Sequence, residues 1–84
     1  MIKVTLYGTP ACRRYIKMRD LVFAEADKLG IAVQLNEIGD TESLSRINPL
    51  SLPQLYIGDT LVASQNPPSA KTVVAALEKM LTRP

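Results

Sequence analysis

Residues 2–15 read IKVTLYGTPACRRY and carry the signals of two secondary-structure elements. Apolar and polar side chains alternate over the first six positions, with Ile2, Val4 and Leu6 on one face, and this period of two predicts a β-strand. Gly8-Thr9-Pro10 interrupts the strand, because glycine and proline are strong breakers of regular structure. The chain is therefore predicted to open with a strand followed by a tight break.

The pattern beyond the break is that of a helix. From Ala11 onward apolar side chains recur at intervals of three and four, which places them on one helical face. The side chains on this face are Tyr15, Met18, Val22, Ala26 and Leu29. Gly30 follows at the position where glycine commonly ends a helix, because glycine adopts left-handed backbone angles at little cost.

A second strand is predicted directly after this helix, where Ile31, Val33 and Leu35 alternate with small or polar residues. Two parallel strands must be joined by a crossover of about a dozen residues or more. Residues 10–30 have the length and the pattern of such a crossover. The first half of the chain is therefore predicted to be a β-α-β unit.

A short helix is predicted next, with Asp40 or Thr41 as its N-cap and with Leu44 and Ile47 as a small apolar patch. It is expected to end near Asn48-Pro49.

The rest of the chain predicts a hairpin and a final helix. Residues 52–57 (LPQLYI) form the third strand, and Pro53 lies at its start because a proline inside a strand removes a ladder hydrogen bond. Gly58-Asp59 is the two-residue turn into a fourth strand over residues 60–63. Residues 66–69 (NPPS) open the last helix. Its predicted apolar stripe consists of Ala70, Val73, Val74, Leu77 and Leu81.

The composition restricts the class of protein. Eighty-four residues give room for a single domain, residues 1–84, and ten Lys and Arg against eight Asp and Glu make a mixed surface without a nucleic-acid footprint. No apolar run approaches the roughly 20 residues that cross a bilayer, and the N-terminal residues lack the pattern of a signal peptide. We therefore expect a cytoplasmic protein that binds neither nucleic acid nor membrane.

The sequence has one cysteine, Cys12, and no histidine. A single thiol excludes an internal disulfide, and the lack of histidine excludes the usual zinc sites and the His-centred catalytic arrangements. We expect no metal. A thiol in the first turn of a helix faces unpaired amide N–H groups and the positive end of the helix dipole, which favour the thiolate. The alternative is that Cys12 is an inert small apolar residue at the loop-to-helix junction.

The order of elements resembles a minimal thioredoxin fold, and in particular the small archaeal and bacterial thioredoxin-like proteins of the redox-active disulfide type. The resemblance spans nearly the whole chain. It is carried by residues 6–9 (LYGT) before the Cys12-Arg13-Arg14-Tyr15 position, by residues 28–31 (KLGI), and by Leu52-Pro53 before a strand. It implies an α/β fold of order β-α-β-α-β-β-α with a four-stranded mixed sheet.

The resemblance also implies which residues form the site. Cys12 would be the catalytic thiol, and Pro53 would follow a cis peptide bond, with Leu52 offering its backbone to the substrate. An ordinary trans proline at the start of the strand is the alternative. The residues assigned to substrate binding are Leu52, Pro53, Pro10, Arg13, Arg14 and Tyr15. Arg13 and Arg14 would also lower the pKa of the thiol.

Tyr15 stands where these proteins place their resolving cysteine. Without that second thiol, release of a mixed disulfide needs glutathione or another thiol partner, as in monothiol glutaredoxins. Residues 63–66 (ASQN) stand where glutaredoxins usually carry a Gly-Gly-Asp-like stretch that holds glutathione. The Tyr15 hydroxyl either donates to the Cys12 sulfur or to a partner, or serves the packing of the core.

Two functions from different classes remain open. The first is a monothiol thiol–disulfide oxidoreductase that acts on a protein disulfide or thiol partner, with glutathione as a candidate co-substrate. The second is a non-catalytic thioredoxin-like module that binds an extended peptide beside Leu52. A homodimer is a further interpretation, either through a disulfide between two copies of Cys12 or through Ile16 and Phe23 on one helical flank.

Overall fold

A computed structural model of the protein describes residues 1–82. Its strands and helices are β1 (Ile2–Tyr7), α1 (Arg13–Leu29), β2 (Val33–Ile38), α2 (Thr41–Leu44), a 3₁₀ turn (Pro49–Ser51), β3 (Gln54–Ile57), β4 (Thr60–Ser64) and α3 (Ala70–Leu81). The predicted order β-α-β-α-β-β-α is confirmed. Among residues 1–82, each helix is too short or too polar to span a lipid bilayer.

The strands form one four-stranded sheet in the order β2-β1-β3-β4. β1 pairs parallel with β2, and β3 pairs antiparallel with both β1 and β4, so the sheet is mixed as predicted. Val4 lies opposite Leu35 on one side and opposite Ile57 on the other. The two central strands, β1 and β3, therefore supply the middle of the core.

The core lies between one face of the sheet and the helices α1 and α3, which also contact each other. From α1, four of the five predicted positions are buried, namely Tyr15, Met18, Val22 and Ala26. The fifth, Leu29, is 41% exposed because it is the last helical residue, directly before the C-cap Gly30.

The buried face of α3 differs from the apolar stripe that the sequence predicts. Val73 and Leu77 are buried as expected, but Ala70 and Leu81, the first and last residues of the helix, are exposed. Ala76 and Met80 pack against the core in their place. These two residues lie three positions after Val73 and Leu77, on the same helical face, and so continue the inward stripe.

The predicted short helix, expected to end near Asn48-Pro49, is shorter in the structure. α2 ends at Leu44, where the Ser45 hydroxyl donates to the Glu42 carbonyl, and none of its four residues is buried. A separate 3₁₀ turn follows, in which the Asn48 side chain accepts a hydrogen bond from the amide of Leu50. Local side-chain bonds of this kind compete with a continuous helix, which explains the break.

The predicted caps and turns occur at their positions. The Asp40 carboxylate accepts from the amide of Ser43 at the start of α2, and this bond lowers the pKa of Asp40. Gly30 ends α1 with φ of 67°, and Gly58 forms the hairpin turn with φ of 61°. β3 begins at Gln54, two residues later than predicted, because Pro53 has no amide hydrogen to donate to the sheet.

Candidate functional site

Cys12 is the N-cap of α1, at the point where the chain leaves the loop after β1. Its backbone is extended, with φ of −72° and ψ of 132°. Its amide donates to the Thr9 carbonyl at 2.9 Å, and its carbonyl accepts from the amide of Ile16 at 3.0 Å. The loop and the first helical turn therefore hold this residue from both sides.

The Cys12 thiol is partly exposed and lies against the edge of the core. It makes no cap hydrogen bond of ordinary geometry, yet the amide N–H groups of Tyr15 and Arg14 face the sulfur and lower the pKa of Cys12. Burial opposes this effect, and the Arg14 guanidinium adds a smaller lowering. The structure thus has a thiolate-favouring site formed mainly by backbone amides, as expected at a helix N-terminus.

The two arginines contribute little to the pKa of the thiol, as their exposure leads one to expect. Arg13 and Arg14 are both exposed, and only the charge of Arg14 acts on the pKa of Cys12. Their guanidinium groups lie in solvent, where counterions screen them. They are therefore positioned as a positive rim beside the thiol.

Tyr15 is fully buried, and its hydroxyl donates to the carboxylate of Glu37 on β2. Burial, followed by the hydrogen bond to Glu37, raises the pKa of Tyr15. The packing interpretation of this tyrosine therefore applies, and the hydroxyl is not directed at the Cys12 sulfur. A side chain without exposed surface does not contact a bound molecule. The structure therefore contradicts the prediction that Tyr15 binds the substrate.

The peptide bond between Leu52 and Pro53 is cis. Pro53 is buried and Leu52 is half-buried, so Leu52 is the accessible member of the pair. The Pro53 carbonyl accepts from the amide of Gln65 at 2.9 Å, and the Ser64 hydroxyl donates to the Ser51 carbonyl at 2.9 Å. The loop after β4 is thereby fastened to the proline segment.

Gly8 joins the proline segment to the helix that carries the thiol. It has φ of +151°, and a Cβ placed on it would lie 3.1 Å from Pro53 Cβ and 3.1 Å from Tyr15 Cδ2. Both neighbours are buried, so neither has free space to retreat into. Pro53 and the first turn of α1 are thus adjacent across Gly8, which brings Leu52 and Cys12 to the same end of the sheet.

Pro10 is exposed and lies towards the end of β2. A Cβ on Gly39 would be 3.4 Å from Pro10 Cδ and 2.9 Å from the Gly8 carbonyl oxygen.

The six residues predicted to bind the substrate fall into three groups in the structure. Pro10, Arg13 and Arg14 surround the start of α1 at the surface, Leu52 and Pro53 form the proline segment, and Tyr15 lies in the core.

Two residues near the site were not predicted. The position of Glu37 is explained by the strand register, because Glu37 lies opposite Leu6 and therefore on the face that α1 covers. The sequence around Glu37 contains no local pattern that predicts this contact. Gln65 has a positive φ of 74°, which is uncommon for a residue other than glycine. The residues around it do not predict this backbone conformation. Among residues 1–82, no group of three or more His, Cys, Asp or Glu side chains is arranged to hold a metal ion.

Replacement of Gly8 by alanine is expected to destabilise the fold by about 2–3 kcal/mol, because the new Cβ meets two buried neighbours in a backbone conformation that favours glycine. Urea unfolding followed by circular dichroism measures the change. The matched control is Gly30→Ala, which also has a positive φ but no atom within 4 Å of the new Cβ. It should cost about 1 kcal/mol. Equal losses in the two variants would contradict the packing described here.

No protein-family model matches the sequence, and no curated protein matches it either. Among solved structures, the chain is similar to the crystal structure of glutaredoxin 1 from Francisella tularensis complexed with cacodylate. The two chains are 20% identical, and the match covers 99% of this chain and 100% of the glutaredoxin with a TM-score of 0.51. Identity at this level establishes the fold alone. The chain has a glutaredoxin-like thioredoxin fold, which confirms the predicted thioredoxin-like fold.

Proposed function

We propose that the protein carries out thiol–disulfide exchange through a single thiol, Cys12. The observation that supports this proposal most directly is the position of the sulfur, partly open to solvent and facing the amides of Tyr15 and Arg14, which lower its pKa. The thiolate is the nucleophile in such exchange, so a lowered pKa raises the reactive fraction at neutral pH. A reduced thiol of this kind fits a cytoplasmic location.

In the first step the Cys12 thiolate attacks one sulfur of a disulfide that joins a partner protein to a small thiol such as glutathione. The new bond joins Cys12 to the small thiol, the original disulfide bond breaks, and the partner leaves as a thiolate that takes a proton from water. Two electrons therefore remain on the released partner sulfur. The oxidised equivalent is carried on Cys12 as a mixed disulfide.

In the second step a free thiol of the same class attacks the small thiol's sulfur in this mixed disulfide. The Cys12 thiolate leaves, and a symmetric small-molecule disulfide is released. One free small-molecule thiol is thus consumed for each mixed disulfide of the partner that is reduced, and the other half of the released disulfide comes from the substrate. The small thiol is the required reductant because the sequence has no second cysteine.

The surroundings of Cys12 suit an acidic or extended substrate. Arg13, Arg14 and Lys17 are exposed around the start of α1, and glutathione carries two carboxylates that such cations attract. The half-buried Leu52 lies beside the cis bond at the same end of the sheet and offers its backbone to an extended chain. We therefore propose Pro10, Arg13, Arg14 and Leu52 as contacts for the substrate, with the buried Pro53 fixing the position of Leu52 through the cis bond.

The pH dependence of alkylation tests the reactive thiol. The pKa of Cys12 is lowered, so the rate of reaction with iodoacetamide should reach half its maximum at a lower pH in the folded protein than in the urea-unfolded chain, where the thiol has a pKa near 8.5. Mass spectrometry follows the product. Arg14→Gln should move the midpoint slightly upward and Arg13→Gln should not, because only Arg14 acts on the thiol.

Two outcomes would contradict this part of the proposal. One is a folded-state midpoint at or above that of the unfolded chain. The other is failure of glutathione disulfide to form a mixed disulfide with the folded protein under conditions in which the unfolded chain forms it. In either case the peptide-binding module, which needs no reactive thiol, would be the remaining interpretation.

A further inference from the structure

The sheet has a second face, opposite α1 and α3. Side chains of a strand point alternately to the two faces, so Leu6 and Leu55 point to the helices while Tyr7, Gln54 and Tyr56 point away. The segment that contains α2 and the residues after it approaches this second face, where Arg46 and Ile47 lie near Tyr7. Because α2 has four residues, none of them buried, it leaves part of this face uncovered.

A pocket of about 400 Å³ lies between this face and the segment after α2. This volume falls at the lower end of the range of small-molecule sites in proteins. It is lined by Tyr7, Ile38, Ser43, Arg46, Ile47, Gln54 and Tyr56. The pocket contains neither Cys12 nor the proline segment, and it belongs to the other face of the sheet.

One wall of the pocket is aromatic. The rings of Tyr7 and Tyr56 lie edge to face, with centroids 5.6 Å apart and planes at 72°. Ile38 pairs with Tyr7 across the parallel strands and extends the apolar surface, and Ile47 adds to it from the α2 side. A flat ring placed here contacts one tyrosine face and one tyrosine edge, which is a favourable aromatic arrangement.

The rim of the pocket carries positive charge. Among the described residues that line it, Arg46 is the only charged one. Its guanidinium is 3.6 Å from the Glu42 carboxylate, but the side chains are 76% and 86% exposed, and exposed pairs of this kind are weak. Arg46 can therefore exchange Glu42 for a ligand carboxylate, which it binds through two parallel hydrogen bonds.

Gln54 adds a second polar contact. Its Nε2 donates to the Ser51 hydroxyl at 3.1 Å, which fixes the direction of the amide. The same Nε2 carries a second hydrogen, which can donate to an oxygen of a ligand. A ligand with an apolar ring and an acidic group at one end matches the aromatic wall and the Arg46 rim together.

We propose that this pocket binds a small aromatic carboxylate, with the ring against Tyr7 and Tyr56 and the carboxylate on Arg46. The charge of the ligand distinguishes this proposal from general adsorption of apolar molecules. A neutral ring of the same shape retains the ring contacts but loses the charge-assisted hydrogen bonds, so it should bind about tenfold more weakly or worse.

Titration of the ¹⁵N-labelled protein with sodium benzoate, followed by two-dimensional NMR, tests the proposal. Saturable shifts are expected at the amides of Tyr7, Tyr56 and residues 43–47, and benzamide should require at least about tenfold higher concentration. Arg46→Gln should weaken benzoate binding about tenfold and leave benzamide unchanged. Lys71→Gln, which removes an exposed positive charge from α3 on the opposite side of the sheet, should change neither.

Equal affinity for benzoate and benzamide would overturn the assignment of charge recognition to Arg46. Shifts that centre on Cys12, or the lack of any saturable shift, would overturn the site itself. The variants Arg46→Gln and Lys71→Gln should both keep the spectrum of the folded protein, because both side chains are exposed. Since neither variant alters Cys12, the outcome is independent of the proposed thiol chemistry.

Discussion

Replacement of Cys12 by serine is expected to reduce thiol–disulfide exchange to the rate of the buffer alone. A serine hydroxyl stays protonated at neutral pH and is a weak nucleophile without an adjacent base, and the sequence offers no other thiol. The measurement is the release of glutathione disulfide from a glutathionylated peptide in the presence of reduced glutathione. The serine side chain is close in size to the cysteine side chain, so the fold should be retained.

A relocated thiol separates the chemistry of a cysteine from that of this site. In the double variant Cys12→Ser, Ala24→Cys the thiol lies on an exposed position in the middle of α1, away from the free amides of its first turn. Its pKa should be that of an ordinary thiol, and its exchange rate at neutral pH should stay close to that of Cys12→Ser. A rate equal to that of the native protein would contradict the role of the helix N-terminus.

The Cys12→Ser variant also distinguishes the two functional classes. If an extended peptide partner is captured equally well by the native protein and by Cys12→Ser, and dithiothreitol does not release it, binding does not pass through the sulfur. That result would favour the non-catalytic module. Loss of capture on substitution, together with release by dithiothreitol, would support the exchange reaction.

Leu6→Ala is expected to destabilise the protein by about 2–5 kcal/mol, the range for truncation of a buried leucine. Leu6 has no exposed surface and lies on the central strand β1, where it faces α1 and α3. A domain of this size has a free energy of unfolding of only about 4–13 kcal/mol. A large shift of the urea midpoint, and partial unfolding without denaturant, should therefore be observed.

Leu50→Ala is the matched control. Leu50 lies in the 3₁₀ turn and is 77% exposed, so the same truncation removes little buried surface there. The change in the free energy of unfolding should stay within about 0.5 kcal/mol. If the two leucine variants unfold at the same urea concentration, the core described here is wrong.

The order of elements could be predicted because its signals are local. Gly30 ends α1, Asp40 caps α2 and Gly58 turns the hairpin, each through a backbone preference that depends on a few neighbouring residues. The alternation around Val4 likewise fixes which side of β1 is buried. Signals of this kind can be recognised without knowledge of the rest of the chain.

The errors concern features that depend on distant parts of the chain. Whether Ala70 or Met80 faces the core depends on where α3 lies on the sheet, and the periodicity of the helix alone permits either choice. The length of α2 depends on the competition between helix hydrogen bonds and the local bonds of Ser45 and Asn48.

The candidate site was predictable to a similar degree. The position of Cys12 at the start of a helix is a local property and was predicted. The bond from Tyr15 to Glu37 crosses from α1 to β2, and the pocket lined by Tyr7 and Tyr56 requires the pairing of β1 with β3. Such contacts appear only once the register of the strands is known.

The tyrosine that stands one turn beyond the lone thiol has a chemical consequence for the whole molecule. Because Tyr15 carries no sulfur and the sequence has one sulfhydryl group, oxidation to a disulfide cannot be stored within a single chain. Every disulfide-bonded form is a covalent adduct whose mass exceeds that of the reduced protein. Its lifetime is then governed by the concentration of external mercaptans, so the fraction of adduct measures the reducing power of the surrounding solution.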